Sequence, residues 1–293
     1  MSRIIYKVYR KIKRYAINKG ERLDSKFFFW ALSIVEKLFS ARRENLNKTL
    51  QNDIWKQIYF LRYSNAPIYI VETKFPVAIA SDDHKWPKGT LHDNSRNRLF
   101  NLRVYHYFAF RNDLKVLDLG CSGGGLVRSF LEDGFEAVGL EGSDISKKLR
   151  SAEWDVCPLH LFTADIARPF AIRRVNWEPY KAHCVTAWEV LEHIPADGVA
   201  GLFSNVAKHL EDDGIFVASV ASFPDANPLT GAVYHITLKP REWWLEKAAQ
   251  AGLIPIENHP FEISDYVRGR GGGLKDWTPA DGDGFHLVLC KAR

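Results

Sequence analysis

The sequence predicts an α/β protein, a mainly parallel sheet with helices wound on both faces. Three observations predict it. Short apolar runs of strand length (Val116–Leu119, Ala137–Leu140, Leu159–Thr163, His183–Trp188 and Gly214–Val220) alternate with helical stretches. The first run ends in a glycine-rich turn, Gly120-Cys-Ser-Gly-Gly-Gly. Acidic residues stand at or just past the strand ends, at Glu141, Asp165 and Glu189. In doubly wound sheets ligands sit outside that edge.

Composition narrows the class. The 293 residues are 46% hydrophobic and 26% charged, enough apolar content to build a core. Collagen, low-complexity and disulfide-scaffold readings are excluded, and no apolar run approaches the roughly 20 residues of a membrane-spanning helix. Residues 1–50 carry 13 Lys/Arg against 4 Asp/Glu, whereas the rest carries 27 against 31. The body therefore has no net attraction for polyanions, and nucleic acid is not the expected partner. Cys121, Cys157, Cys184 and Cys290 form no C-x-x-C pair, so a cysteine zinc site is not expected. Reduced core thiols in a cytoplasmic protein are the plain reading.

Taken in order, residues 1–65 read as a basic helical arm. Ile4, Ile5, Val8, Tyr9 and Ile12 recur at helical spacing between Arg and Lys residues, and the apolar run Phe27–Val35 follows. Two readings stand: an arm packed on the body or on a second subunit, or a peripheral contact of residues 1–40 with an anionic bilayer. Glu44–Asn65 reads as helix, ended by Pro67. Residues 66–100 read as a polar lid or linker, β-rich over Ile68–Ala80. Its Asp83, His84, Trp86, His92, Asn94 and Arg96 are candidate acceptor contacts. Residues 101–293 form the expected catalytic domain. Leu126–Glu132 and Asp197–Leu210 read as helices. Pro240 opens another through Gln250, with Gly252 after it, and His286–Cys290 is the final strand. The basic, glycine-rich stretch Tyr266–Trp277 is either an acceptor clamp or a surface turn, and Trp243-Trp244 reads as core and interface packing.

The glycine loop lets a ligand approach the backbone. By itself it fits NAD as well, although Ser122 breaks the G-x-G-x-x-G spacing. Glu141 lies 21 residues after Gly120, where a carboxylate can accept from both hydroxyls of a ribose. Asp118 stands two residues before Gly120, Asp165-Ile166 follows the third strand, and the fourth ends in Trp188-Glu-Val-Leu-Glu-His-Ile-Pro. With these motifs in this order, residues 100–290 resemble class I S-adenosylmethionine-dependent methyltransferases. The resemblance implies a Rossmann-like, seven-stranded sheet whose last strand is antiparallel. It implies that Gly120, Ser122 and Gly124, with the neighbouring Cys121, shape the loop against the methionine part of the cofactor. Asp118 would orient its amino group, Glu141 and the adjoining Gly142 its ribose, and Asp165 and Ile166 its adenine, with Trp188 at the strand tip beside it.

Glu189, Glu192 and His193 stand at i, i+3 and i+4. If helical they share one face, and with His235 downstream they make a ligand set for a divalent cation. The set resembles that of metal-dependent small-RNA and ubiquinone-pathway O-methyltransferases. It implies Mg or Mn beside the acceptor hydroxyl, with Glu189, Glu192, His193 and His235 as ligands. A metal-free alternative makes His193 or His235 the general base. The expected reaction is methyl transfer from S-adenosylmethionine to a hydroxyl of a small molecule, sugar or glycan. A phenol or nucleotide acceptor, and an NAD-dependent oxidoreductase, are the rival readings.

Overall fold

In the computed structural model the described residues are 44–60, 63, 68–84, 87, 90–91, 93–261 and 284–292. The chain divides into two compact units, Met1–Arg62 and Tyr63–Arg293. In the first, residues 44–60 form helix α1, on which Trp55 stacks on Tyr59 with 5.5 Å between ring centroids. Spacing of i,i+4 brings those rings onto one face. Residues 1–43 lie outside the described residues, and with them most of the basic arm.

The second unit is built on a seven-stranded sheet in the order β4-β3-β2-β6-β7-β9-β8. Its strands are β2 (Lys115–Leu119), β3 (Glu136–Glu141), β4 (Leu161–Thr163), β6 (Ala182–Trp188), β7 (Leu210–Ala221), β8 (Leu253–Pro255) and β9 (Gly284–Lys291). β2 pairs in parallel with β3 and β6, and β6 with β7. β9 runs antiparallel between β7 and β8. The central strands are buried, which is why their sequences are predominantly apolar. Every residue of β6 is buried.

Helices α2 (Arg98–Tyr107), α3 (Gly125–Glu132), α4 (Ile145–Leu149), α5 (Val199–His209) and α6 (Arg241–Gln250) complete the unit. One core joins Leu117, Leu119, Val185 and Phe216 of the sheet to Leu202, Phe203 and Val206 of α5 and Trp244 of α6. Trp244 is fully buried, as its apolar context predicts. At Gly201 a Cβ would stand 2.2 Å from the Ala167 carbonyl oxygen, so only glycine lets α5 approach that closely.

β1 (Tyr69–Thr73) falls in the stretch read as β-rich and pairs antiparallel with β5 (Phe170–Arg174) in a separate two-stranded sheet. That pairing and four further elements, β5, β8, α4 and α2, escape the sequence pattern. β8 and α4 are too short to show a period. α2 mixes Arg, Asn and His with its apolar residues, and only Phe100, Asn101, Val104 and Tyr105 are buried. Its start is nonetheless capped, since the Asn97 side chain accepts from the Leu99 N–H. Among the described residues no helix is long and apolar enough to cross a membrane.

Candidate active site

The crevice forms where β2, β3, β4 and β6 end. After β2 the chain turns through Gly120 at φ 72°. A Cβ there would stand 2.3 Å from a methyl of Val190, so the glycine satisfies both the backbone and the Val190 side chain packed over it. Ser122 is left-handed too, at φ 47°, where a side chain is strained. Its three polar groups are all engaged. The N–H donates to Glu141 Oε2 at 2.8 Å, the carbonyl accepts from Trp154 Nε1 at 2.8 Å, and the hydroxyl faces the Thr90 and Asp93 carbonyls. Gly124, also at positive φ, leads into α3. The Cys121 thiol packs under Gly139, and burial pushes its pKa well up.

Glu141 ends β3. Its other oxygen accepts from the Ser143 N–H at 3.1 Å. Two backbone amides thus fix the carboxylate at the tip of the strand, with lone pairs left over. The next residue, Gly142, gives its carbonyl to the Ala78 N–H at 2.8 Å. Asp118 is 3% exposed and accepts from the Thr186 hydroxyl at 2.7 Å. Burial, opposed by that bond and reinforced by Asp93 and Glu141, lifts its carboxyl from 3.8 to about 7. Asp165 follows β4, accepts from the Ala167 N–H at 3.0 Å, and gives its own N–H to the Phe75 carbonyl. Burial raises its pKa as well. Ile166 is buried in the core, and Trp188 packs edge-on against Phe100 at 5.0 Å.

The second group lies beyond β6. Leu191–His193 is a single 3₁₀ turn, and Glu189 precedes it at φ 52°. The shared helix face expected for Glu189, Glu192 and His193 therefore does not form. The chain must swing out of the strand before it can coil, and Glu189 is spent on that bend. Glu192, His193 and His235 instead place one ligand atom each within 4.8 Å of one another, and Glu189 is not in that group. Backbone bonds from Ile236 and Thr237 to the Glu192 carbonyl bring His235 across.

Glu192 is fully buried and neither carboxylate oxygen makes a hydrogen bond. His235 Nε2 stands 3.9 Å away. Burial, then the Glu189 charge, lift the Glu192 carboxyl to about 8, with His193 opposing. Burial depresses His235, while its Nδ1 is held 2.6 Å from the Phe223 carbonyl.

Several expected acceptor contacts lie elsewhere. Asn94 donates to Glu153 at 2.9 Å, behind the glycine loop, where the buried Arg128–Glu153 pair closes at 2.9 Å. Arg96 pairs with Glu132 at the surface. Both serve α3 rather than the crevice, because burying Glu153 demands donors. Trp86, His92, the Asp83 side chain and Tyr266–Trp277 lie outside the described residues. Thr90 and Asp93, which meet the glycine loop, were not singled out within the polar stretch read as a lid, because composition alone does not say which of its residues face the crevice.

A doubly wound sheet with a glycine turn and strand-end acids is an arrangement that nucleotide-cofactor transferases and oxidoreductases share. The family models decide between them. Residues 92–262 match the methyltransferase domain family, and the chain belongs to it. No curated protein matches the chain. Among solved structures, a TehB-like SAM-dependent methyltransferase from Corynebacterium glutamicum is 18% identical, with a TM-score of 0.44 over 66% of this chain and 85% of that one. The CcbJ methyltransferase from Streptomyces caelestis is 16% identical, with a TM-score of 0.47 over 73% and 96%. The glycopeptide N-methyltransferase MtfA, complexed with S-adenosylmethionine, is 19% identical, with a TM-score of 0.40 over 65% and 86%.

Proposed function

We propose that the protein moves the methyl group of S-adenosylmethionine to a hydroxyl oxygen, on a sugar or glycan, with a divalent cation held by Glu192, His193 and His235. The observation that carries this reading is the Glu192 carboxylate, fully buried without a hydrogen bond and grouped with two imidazoles. A buried carboxylate that makes no hydrogen bond is costly to ionise unless a cation compensates it, and without one its carboxyl is pushed up towards the neutral form. The donor set fits such an ion: one carboxylate oxygen and two imidazole nitrogens suit Mn better than Mg, which prefers oxygen ligands.

When bound, the sulfonium cofactor supplies an activated methyl group, and a cation supplies the charge that lowers the pKa of an acceptor hydroxyl. The protein's own part is placement. Glu141 receives ribose hydroxyls on a carboxylate already fixed by the Ser122 and Ser143 amides. Asp118 would hold the cofactor's ammonium group, and Asp165 with Ile166 would border the adenine. Transfer breaks the sulfur–carbon bond, forms the oxygen–carbon bond and sends the hydroxyl proton to a base. Only without a bound cation is His235 suited to that proton, because its Nδ1 is engaged by the Phe223 carbonyl and Nε2 is the nitrogen a cation would take, while burial disfavours its charged form. That suitability supports a second, metal-free reading with His193 or His235 as base.

A radiolabelled-methyl screen of sugars, catechols and short RNAs, with Mn, with Mg and after chelation, tests the proposal. Activity lost on chelation and restored by Mn is the expected result. Full activity in the chelated enzyme removes the metal, and tight NAD binding without S-adenosylmethionine binding removes the reading altogether.

A further inference from the structure

Thr90 and Asp93 meet the glycine loop through a set of contacts that the reading above does not use. The Ser122 hydroxyl lies 3.0 Å from the Thr90 carbonyl and 2.8 Å from the Asp93 carbonyl. The fully buried Ser146 gives its hydroxyl to the Thr90 carbonyl at 3.1 Å. The Gly123 N–H donates to the Asp93 carbonyl at 3.0 Å. Three groups, two from the glycine turn and one from α4, therefore hold the Thr90 and Asp93 carbonyls against that turn.

The consequence falls on one side chain. The half-buried Thr90 hydroxyl is set 3.5 Å from Glu141 Oε1, at the outer limit of a hydrogen bond. Glu141 itself is held tightly from the other side by amides at 2.8 and 3.1 Å. Thr90 is thus a long, weak partner of the one carboxylate expected to take the ribose. A ribose hydroxyl donating to Glu141 would have the Thr90 hydroxyl beside it, free to donate in turn to the sugar oxygen.

We propose that Thr90 is a ribose-side binding residue of the nucleoside site, and that the Ser122 hydroxyl is the positioning residue that holds it there. This rests on the reading of the crevice as an S-adenosylmethionine site. It also gives a reason for a serine at a left-handed position where glycine would be unstrained: the hydroxyl is needed to fasten the segment.

The test is calorimetric titration of the full chain with S-adenosylhomocysteine, adenosine, 2′-deoxyadenosine and 3′-deoxyadenosine. Thr90→Val should bind S-adenosylhomocysteine about five- to tenfold more weakly, and Thr90→Ser should restore the affinity. Ser122→Gly keeps the backbone conformation and should weaken binding about fivefold. The double variant should bind no more weakly than Thr90→Val alone, since both changes remove one contact. Discrimination between adenosine and at least one deoxy analogue should shrink in Thr90→Val, a change that general loosening of the fold does not produce. Wild-type affinity and discrimination in both Thr90→Val and Ser122→Gly overturn this proposal while the wild-type titration upholds the cofactor reading. Absence of S-adenosylhomocysteine binding to the wild type overturns both.

Discussion

Replacing Asp118 by Asn tests the crevice most directly. The carboxyl is buried beside Thr186, whose hydroxyl can donate equally to an amide oxygen, so shape and hydrogen bond survive the change. What disappears is the titration. Burial raises the folded-state pKa from 3.8 to about 7. A raised carboxyl favours the folded state while it is protonated; that contribution is complete below the unfolded value and is lost as pH climbs through the folded one. Each pH unit inside the window costs about 1.4 kcal/mol. Between pH 5 and pH 7 the wild type should therefore lose about 2 kcal/mol relative to Asp118→Asn, or roughly 5–9 °C of melting temperature for a domain of this size. Scanning calorimetry of both proteins at the two pH values reads this double difference. Binding adds a second signature. A cofactor ammonium group stabilises the ionised carboxylate, so wild-type affinity for S-adenosylmethionine should rise as pH approaches 7, while Asp118→Asn stays flat and weaker. Parallel melting curves for the two proteins across this range would show that Asp118 does not carry the buried charge, and the reasoning would fail.

Other changes separate the parts of the site. Glu141→Ala should weaken S-adenosylmethionine binding by at least about tenfold in calorimetry, because it deletes an acceptor already fixed by two amides. Glu192→Gln and His193→Ala should leave that affinity within about twofold and lower turnover by roughly 10²-fold or more, with chelation of the wild type giving the same loss. Gly201→Ala drives a methyl into the Ala167 carbonyl, and denaturant unfolding should show a loss of about 1–3 kcal/mol without a change in cofactor chemistry. Glu153→Ala leaves the buried Arg128 with Glu132 as its remaining partner, and unfolding should show a loss of about 1–3 kcal/mol.

Legibility in the sequence followed the range of the interaction. The buried strands were readable because a strand covered on both faces is mostly apolar, as in β6, where only His183 and Thr186 are polar. The helix after Pro240 was readable because proline fits a first turn, and the left-handed Gly252 follows its end. The β1–β5 pair was not, since Tyr69 meets Arg174 across more than a hundred residues and neither strand has a distinctive pattern. The ligand group shows both outcomes. His193 and Glu192 are neighbours in the chain, but His235 reaches them only because the segment after β7 is tied back to the Glu192 carbonyl. Glu189 looked equivalent to Glu192 on a helical wheel, but it sits on a left-handed bend after β6, near enough for its charge to act on Glu192 yet outside the close Glu192–His193–His235 group.

By itself the sequence determined the alternation of strand and helix, the glycine turn and the acids at the strand ends, because these depend on covalent geometry and on local burial. Only the tertiary structure decided which side chains share a space: Asn94 with Glu153, Thr90 with Glu141, and Glu192 with His235. Those pairings join segments far apart in the chain, and they exist because packing the sheet brings the loops together and leaves each buried polar group to find a partner there.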